Sequence, residues 1–260
     1  MIGFLIRKTF YDLWDNLFRI ILINLGFLVS TAIPFFLPKL AALFIGSQAL
    51  EMGLTAVGVI ICTVYLSAAA YSLKLISDYG TFGFVDFFKG FKDALPAGLM
   101  MGVINIILFL MVTIVIPFYM SMETPVGLLL GMFVLWAVVF AVLSFQFYFT
   151  VCARLNSSLK KAFKKCMLIS VDNTGLAVFI LLHNFVGLIF SVFLGFMFTG
   201  PAGALLYLDE ALRLRLLKYD WLEANPGADR KKIPWDELLV EEREKTGTRT
   251  LKNLIFPWKD

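Results

Sequence analysis

Five long stretches of this chain contain no Asp, Glu, Lys or Arg: Ile20–Pro38, Met52–Leu73, Ala94–Met122, Thr124–Ala153 and Asn173–Leu208. A helix of about 20 apolar residues covers the ~30 Å hydrocarbon core of a bilayer, so each stretch is long enough, or nearly so, to cross it. Burying them all in a water-soluble core is excluded by proportion. Of 260 residues, 60% are hydrophobic and 16% charged, against about 45–50% and about 25% in soluble domains. The fold class is all-α, a polytopic transmembrane helical bundle.

The last stretch has 36 residues and would measure about 54 Å as one helix, so it must break. Thr199-Gly200-Pro201 is the expected point, because proline cannot continue a helix and glycine supplies the turn. One span then covers Thr174 to Phe198. A short sixth segment returns from Pro201 towards Leu217, with Asp209, Glu210, Arg213 and Arg215 at its inner end. Asp209 and Arg213, four residues apart, are placed to pair on one face. The expected total is about six passes.

Basic residues mark the cytoplasmic side. Arg7, Lys8 and Arg19 precede the first run, and Lys39 alone follows it. Lys74, Lys89 and Lys92 lie between the second and third runs, and none lies around Glu123. Arg154, Lys160, Lys161, Lys164 and Lys165 follow the fourth, and eleven more lie after Leu208. The alternation places both termini in the cytoplasm of a bacterial (inner) membrane protein. Residues 1–217 read as the transmembrane domain and 218–260 as a charged cytoplasmic tail. The amino-terminal segment, interrupted by Arg7 and Lys8, reads as an interfacial helix over Ile2–Arg19 and not as a cleaved signal peptide. In the tail, Asn225-Pro226-Gly227 is a turn, Pro234 starts a helix across Trp235–Lys245, and Thr246-Gly247 ends it. Leu251–Lys259, apolar, aromatic and basic by turns, can fold back on the membrane or on the bundle.

Two basic connections are themselves amphipathic. Phe84, Phe87, Phe88 and Phe91 recur at i, i+3, i+4 and i+7. Leu155, Leu159, Ala162, Phe163, Cys166 and Met167 form a second stripe, opposite Lys160, Lys161, Lys164 and Lys165. Each stripe reads first as a face resting on lipid or on the bundle, and second as a docking surface for a cytoplasmic partner.

Polar chemistry inside the spans is sparse. His183 and Asn184 sit together in the fifth run and Asn24 in the first. Such groups usually bond helix to helix, and a lone His without a carboxylate or Cys partner is weak evidence for a metal or a nucleophile. Gly187, Gly195 and Ala68-Ala69-Ala70 are read as sites of close helix packing. Cys62, Cys152 and Cys166 suit no disulfide framework or zinc spacing and read as small apolar packing groups. No phosphate-binding glycine loop, HExxH or GxSxG occurs. The expectation is no catalytic residue, no cofactor, no metal and no nucleic-acid partner.

The segment from Asn24-Leu-Gly-Phe through Pro38-Lys-Leu-Ala41-Ala42-Leu43-Phe44 resembles the start of the YesL-like bacterial membrane proteins. The Phe84-x-x-Phe87-Phe88-x-x-Phe91 stripe and Ser158-Leu-Lys-Lys-Ala162 resemble later parts of that family's pattern. The order of matches covers most of residues 15–215. The chain departs from the pattern in Met52–Leu73, an additional span, and in its longer tail. The resemblance implies an integral membrane protein without established activity, often encoded beside carbohydrate ABC-transporter genes. It supplies no catalytic residues. The expected function is therefore a non-enzymatic accessory or regulatory partner of a solute (sugar) uptake system, in contact with the bilayer and with a membrane protein such as an ABC transporter. The alternative is a small-solute transporter or permease subunit, although neither basic connection carries the Glu-Ala-Ala…Gly signature of permease docking loops.

Reporter domains fused at Met1 and at Asp260 should both report cytoplasm. A periplasmic signal at Asp260 would mean an odd number of crossings and overturn the six-pass topology.

Overall fold

The computed structural model describes residues 1–155, 158–230 and 232–247, with the Phe84 side chain excepted. The Leu251–Lys259 segment lies outside the described residues. Among these residues the chain is helical throughout, without strands. Five helices are long and apolar enough to cross a membrane, and this is an integral membrane protein of the multi-pass helical class.

An amphipathic helix, α1 (Ile2–Asp15), leads through Asn16 into the first span, α2 (Leu17–Ile45). Helix α2 continues through Pro34 and Pro38 and stops at Gly46, which adopts φ +67°. Ser47 then accepts a bond from the Leu50 N–H at the start of α3 (Gln48–Ser77). The third span is one long helix in three parts: α4 (Phe84–Leu110), a π-turn over Met111–Val115, and α5 (Ile116–Met120). Thr124 accepts from the Gly127 N–H and Pro125 occupies the first turn, so α6 (Pro125–Phe145) starts where a prolyl N–H would be missing without cost. Helix α7 (Tyr148–Leu155) prolongs that span. Helix α8 (Leu159–Asp172) precedes the fifth span, α9 (Thr174–Phe193). The returning segment is α10 (Gly200–Ala224), followed by α11 (Trp235–Leu238) and α12 (Val240–Thr246).

Helix α3 is the hub, packed against α2, α4, α7 and α10. Its Ala68, Ala69 and Ala70 are fully buried, so the small-residue run does lie at a helix contact. Gly187 and Gly195, read as packing glycines, are not: a Cβ on either would meet nothing within 4 Å, and Gly195 sits at φ +60° in the turn after α9. The close approaches are made instead by Gly58 on Pro34, and by Gly98 and Gly102 on the Val64 and Ile60 turns of α3. Where two backbones nearly touch, only hydrogen fits between them. Ser67 reinforces the α3–α4 seam by donating to the Ala94 carbonyl at 2.9 Å.

Helix α9 ends at Phe193, earlier than the Phe198 read from sequence, and Leu194–Thr199 form the turn. Helix α10 returns antiparallel to α9. Thr199 meets Gly187, Asn184 meets Ala204, His183 stacks on Tyr207, and Asn173 meets Tyr219. The return therefore begins level with Gly187, short of the outer end of α9. It runs unbroken through the 217/218 boundary drawn from sequence, with Lys218 buried and bonded to Asp172 at 2.8 Å. Helix α1 lays Phe4, Leu5, Lys8 and Leu13 against the bundle, chiefly against α10. The face expected at the headgroup boundary is thus a packed one.

Substitution Gly98→Ala should lower stability by about 1–3 kcal/mol, the usual cost of overpacking. Gly53→Ala, on the exposed face of α3 with open space around it, should raise it by about 0.5–1 kcal/mol. Thermal unfolding of the purified protein in detergent checks both; equal effects would refute the backbone-contact explanation.

Candidate functional site

The polar residues of the chain converge on α10. Asn24, fully buried in α2, holds the start of this helix. Its Nδ2 donates to the carbonyls of Phe196 (2.8 Å) and Thr199 (2.9 Å), and its Oδ1 accepts from the Ala202 N–H (2.9 Å). A helix beginning inside an apolar bundle has unsatisfied N–H groups with no water to take them. Asn24 does the work of an N-cap from another helix. Gly200 is required beside it: φ is +62°, and a Cβ would stand 2.7 Å from the Asn24 carboxamide.

One turn further, Asn184 donates to the Ala204 carbonyl at 3.3 Å. His183 stacks on Tyr207 with ring centroids 4.0 Å apart and planes 16° from parallel. These two residues, with Thr9, Thr199 and Gly203, line a small cavity of about 40 Å³. His183 Nδ1 and the Tyr207 hydroxyl are both buried without a hydrogen-bond partner.

Below this, level with the end of α3, lies a cluster of buried charges. Arg154 of α7 grips Asp209 with two bonds, Nε–Oδ1 at 2.8 Å and Nη2–Oδ2 at 2.5 Å, and also donates to Ser77 and Asp78. Asp209 and Glu210 are each 1% exposed. Sequence spacing suggested that Asp209 pairs with Arg213. The structure corrects this, because Asp209 points to α7 while Arg213 bonds Glu242 of α12 at 2.6 Å and reaches Asp78 and the Ser77 carbonyl. Tyr79 donates to the same Glu242 carboxylate at 2.7 Å; burial pushes its phenol up, keeping it a neutral donor. The tail is thereby clamped to the bundle, with Leu239 fully buried in the common core. On α1, Lys8 meets Asp12 at 2.5 Å and Glu210 at 3.4 Å. A second clamp joins Asp172, at the end of α8, to Lys218 and Tyr219. Burial alone would raise the Asp172 carboxyl, but their bonds hold it below its ordinary range.

The cytoplasmic docking candidates divide. Phe87 packs on Tyr65 (5.7 Å between centroids) and Phe91 is half-buried, whereas Phe88 is exposed; the Phe84 side chain lies outside the described residues. Lys160, Lys161 and Lys164 are exposed and Lys165 is half-buried. The α8 stripe faces inward, with Ala162 and Cys166 fully buried, and Phe163 stacked on Tyr148 at 4.7 Å. Only Met167 of that stripe is exposed. The Phe stripe and α8 lie at the same end of the bundle, since Gly90 near the start of α4 lies beside Tyr71, whose hydroxyl donates to the Cys152 carbonyl of α7, and α7 packs on α8.

Among the described residues no group of three or more His, Cys, Asp and Glu is placed to hold a metal ion. The buried charge cluster itself was not singled out from sequence. Its one signal was the pair Asp209-Glu210 at the end of an apolar run, and nothing local shows that residues 8, 154 and 242 reach it.

Arg154→Met should destabilise the protein by about 3–5 kcal/mol, because it leaves the Asp209 carboxylate buried and uncompensated. The double variant Arg154→Met, Asp209→Leu should recover most of that loss, since an apolar pair avoids the desolvation of two charges. Unfolding temperatures of the two variants in detergent decide the matter; a double variant no better than the single would show that Asp209 is not the group Arg154 neutralises.

Comparison with known proteins finds no match: no family model, no curated protein and no solved structure is similar to this chain.

Proposed function

We propose that this membrane protein is a non-enzymatic accessory or regulatory partner of a solute-uptake system, sugar uptake being the first candidate, and that it works through its basic end. The observation that carries the reading is the concentration of exposed charge there. Lys89, Lys92, Lys160, Lys161 and Lys164 are all exposed, and they flank Val85 and Phe88, which are 64% and 69% exposed. A basic surface draws in a complementary partner or anionic lipid, and aromatic groups supply contact area once it is seated. The likeness to YesL-like proteins supports a partner among carbohydrate importers. On this proposal the basic end is cytoplasmic, both termini lie on that side, and the membrane is the bacterial cell membrane.

A second reading, a small-solute transporter, is favoured by one observation: His183, Tyr207 and Glu210 place ionisable and polar groups along α10 within the bundle, where such groups often mark a path.

A photocrosslinking residue at Phe88 or Lys161 should capture an importer component in native membranes, and one at Leu43, on the opposite end, should not. The purified protein in liposomes should move no sugar. Capture of nothing at the basic end, together with solute movement by the protein alone, would replace the first reading with the second.

A further inference from the structure

We propose that the contact between α1 and α10 is a proton-binding site, in which Asp12 and Glu210 hold one proton between them and ordered water links that pair to His183. The first argument is a count of charges. Among the described residues, Lys8 is the one cation in contact with both carboxyls, at 2.5 Å from Asp12 and 3.4 Å from Glu210. The neighbouring cations face other groups: Arg154 pairs with Asp209 and Asp78, Arg213 with Asp78 and Glu242, and Lys245 lies 6.0 Å from the Tyr79 ring centre. Tyr79, which packs beneath Lys8 with the ammonium 4.4 Å from its ring centre, is neutral. Two carboxylates on one lysine, in a site where Lys8 is 2% and Glu210 1% exposed, leave one negative charge unmatched, and a proton removes it.

The second argument is a count of hydrogens. The Thr9 hydroxyl lies 3.0 Å from the Leu5 carbonyl and 2.5 Å from Glu210 Oε2. It has one hydrogen. With Glu210 ionised that hydrogen must be shared between the two acceptors; with Glu210 protonated, its carboxyl donates to Thr9 while Thr9 donates to Leu5, and each contact is a full bond. The proton that Glu210 then carries is the one the proposal has it share with Asp12, whose side chain, 14% exposed, is the way in from solvent.

The third observation carries the site towards His183. Thr9, Tyr207 and His183 line the same cavity of about 40 Å³, enough for one or two waters, which need 10–15 Å³ each by this measure and two to four polar partners. The unpartnered His183 Nδ1 and Tyr207 hydroxyl, with the Thr9 oxygen, are such partners. Tyr207 and Glu210, three apart on α10, lie on one face. The sequence runs His183, water with Tyr207, Thr9, Glu210, Asp12: a line of groups each able to give and take a proton.

Infrared spectroscopy of the full-length protein in liposomes should show a deuterium-sensitive protonated-carboxyl band at neutral pH. Glu210→Gln should abolish it, while the glutamine amide keeps the bond to Thr9 and the fold. Asp12→Asn should abolish it as well, or shift its midpoint by at least one pH unit, so a failure of the first variant to fold leaves the test intact. Because His183 is the single histidine, its ¹⁵N spectrum reads the water link directly: the Nδ1 resonance should move in step with the carboxyl band during a pH titration and lose that step in the Asp12→Asn variant. Absence of the band in the parent protein, or its survival in both variants, overturns the proton site. A histidine resonance that ignores the carboxyl titration overturns the link.

Discussion

A helix that begins inside an apolar bundle is a problem the rest of this structure is arranged to solve. At the start of α10, Pro201 has no N–H and the Gly203 N–H reaches the Thr199 carbonyl, but the Ala202 N–H would go unbonded where no water can reach it. Asn24 supplies one acceptor and two donors from the neighbouring span, and Gly200 allows the carboxamide to approach. With its start fixed there, α10 is threaded between α1, α3, α7 and α9, and its position dictates which polar residues of those helices become partners. The partial return is also what brings the carboxy-terminal segment back to the side on which the chain began.

The same threading explains why so many charges are buried at one end. Asp209 and Glu210 would be prohibitively costly alone, and each meets a cation delivered by a different helix: Arg154 from α7 and Lys8 from α1. Such pairs contribute little net stability because desolvation offsets attraction. Their cost is met where α1, α7 and α12 bring Lys8, Arg154 and Glu242 to the charged residues of α10 and its neighbours.

How much of this was legible in the chain depends on the range of the interaction. The spans were readable because hydrophobicity over about 20 residues is a local property. The turn at Thr199-Gly200-Pro201 was readable from proline and glycine chemistry, and the tail helix broke as Pro234 and Gly247 require, with an added interruption at Leu239 that no local signal announces. Asn24, His183 and Asn184 stood out as polar residues in apolar runs, and all three lie around α10. The Asp209–Arg213 pair was misjudged for a plain reason: spacing of four makes contact possible on a helix surface, but each of these side chains has a better partner on another helix. Gly195 was misjudged likewise, since a glycine in an apolar run serves packing or a turn equally well until the backbone is known.

The sequence by itself determined the all-helical membrane architecture, the number of long apolar spans and the end of the bundle at which charge collects, because each follows from hydropathy and charge counted along the chain. Only the tertiary structure decided that Lys8, Arg154 and Glu242 meet α10, that Thr9 reaches Glu210, and that His183 and Tyr207 share a cavity with it. Those contacts join residues as far as 202 positions apart, and even the nearer Arg213–Glu242 pair, 29 apart, lies on two different helices; whether two such residues touch is set by how whole helices pack, a property no local pattern of residues encodes.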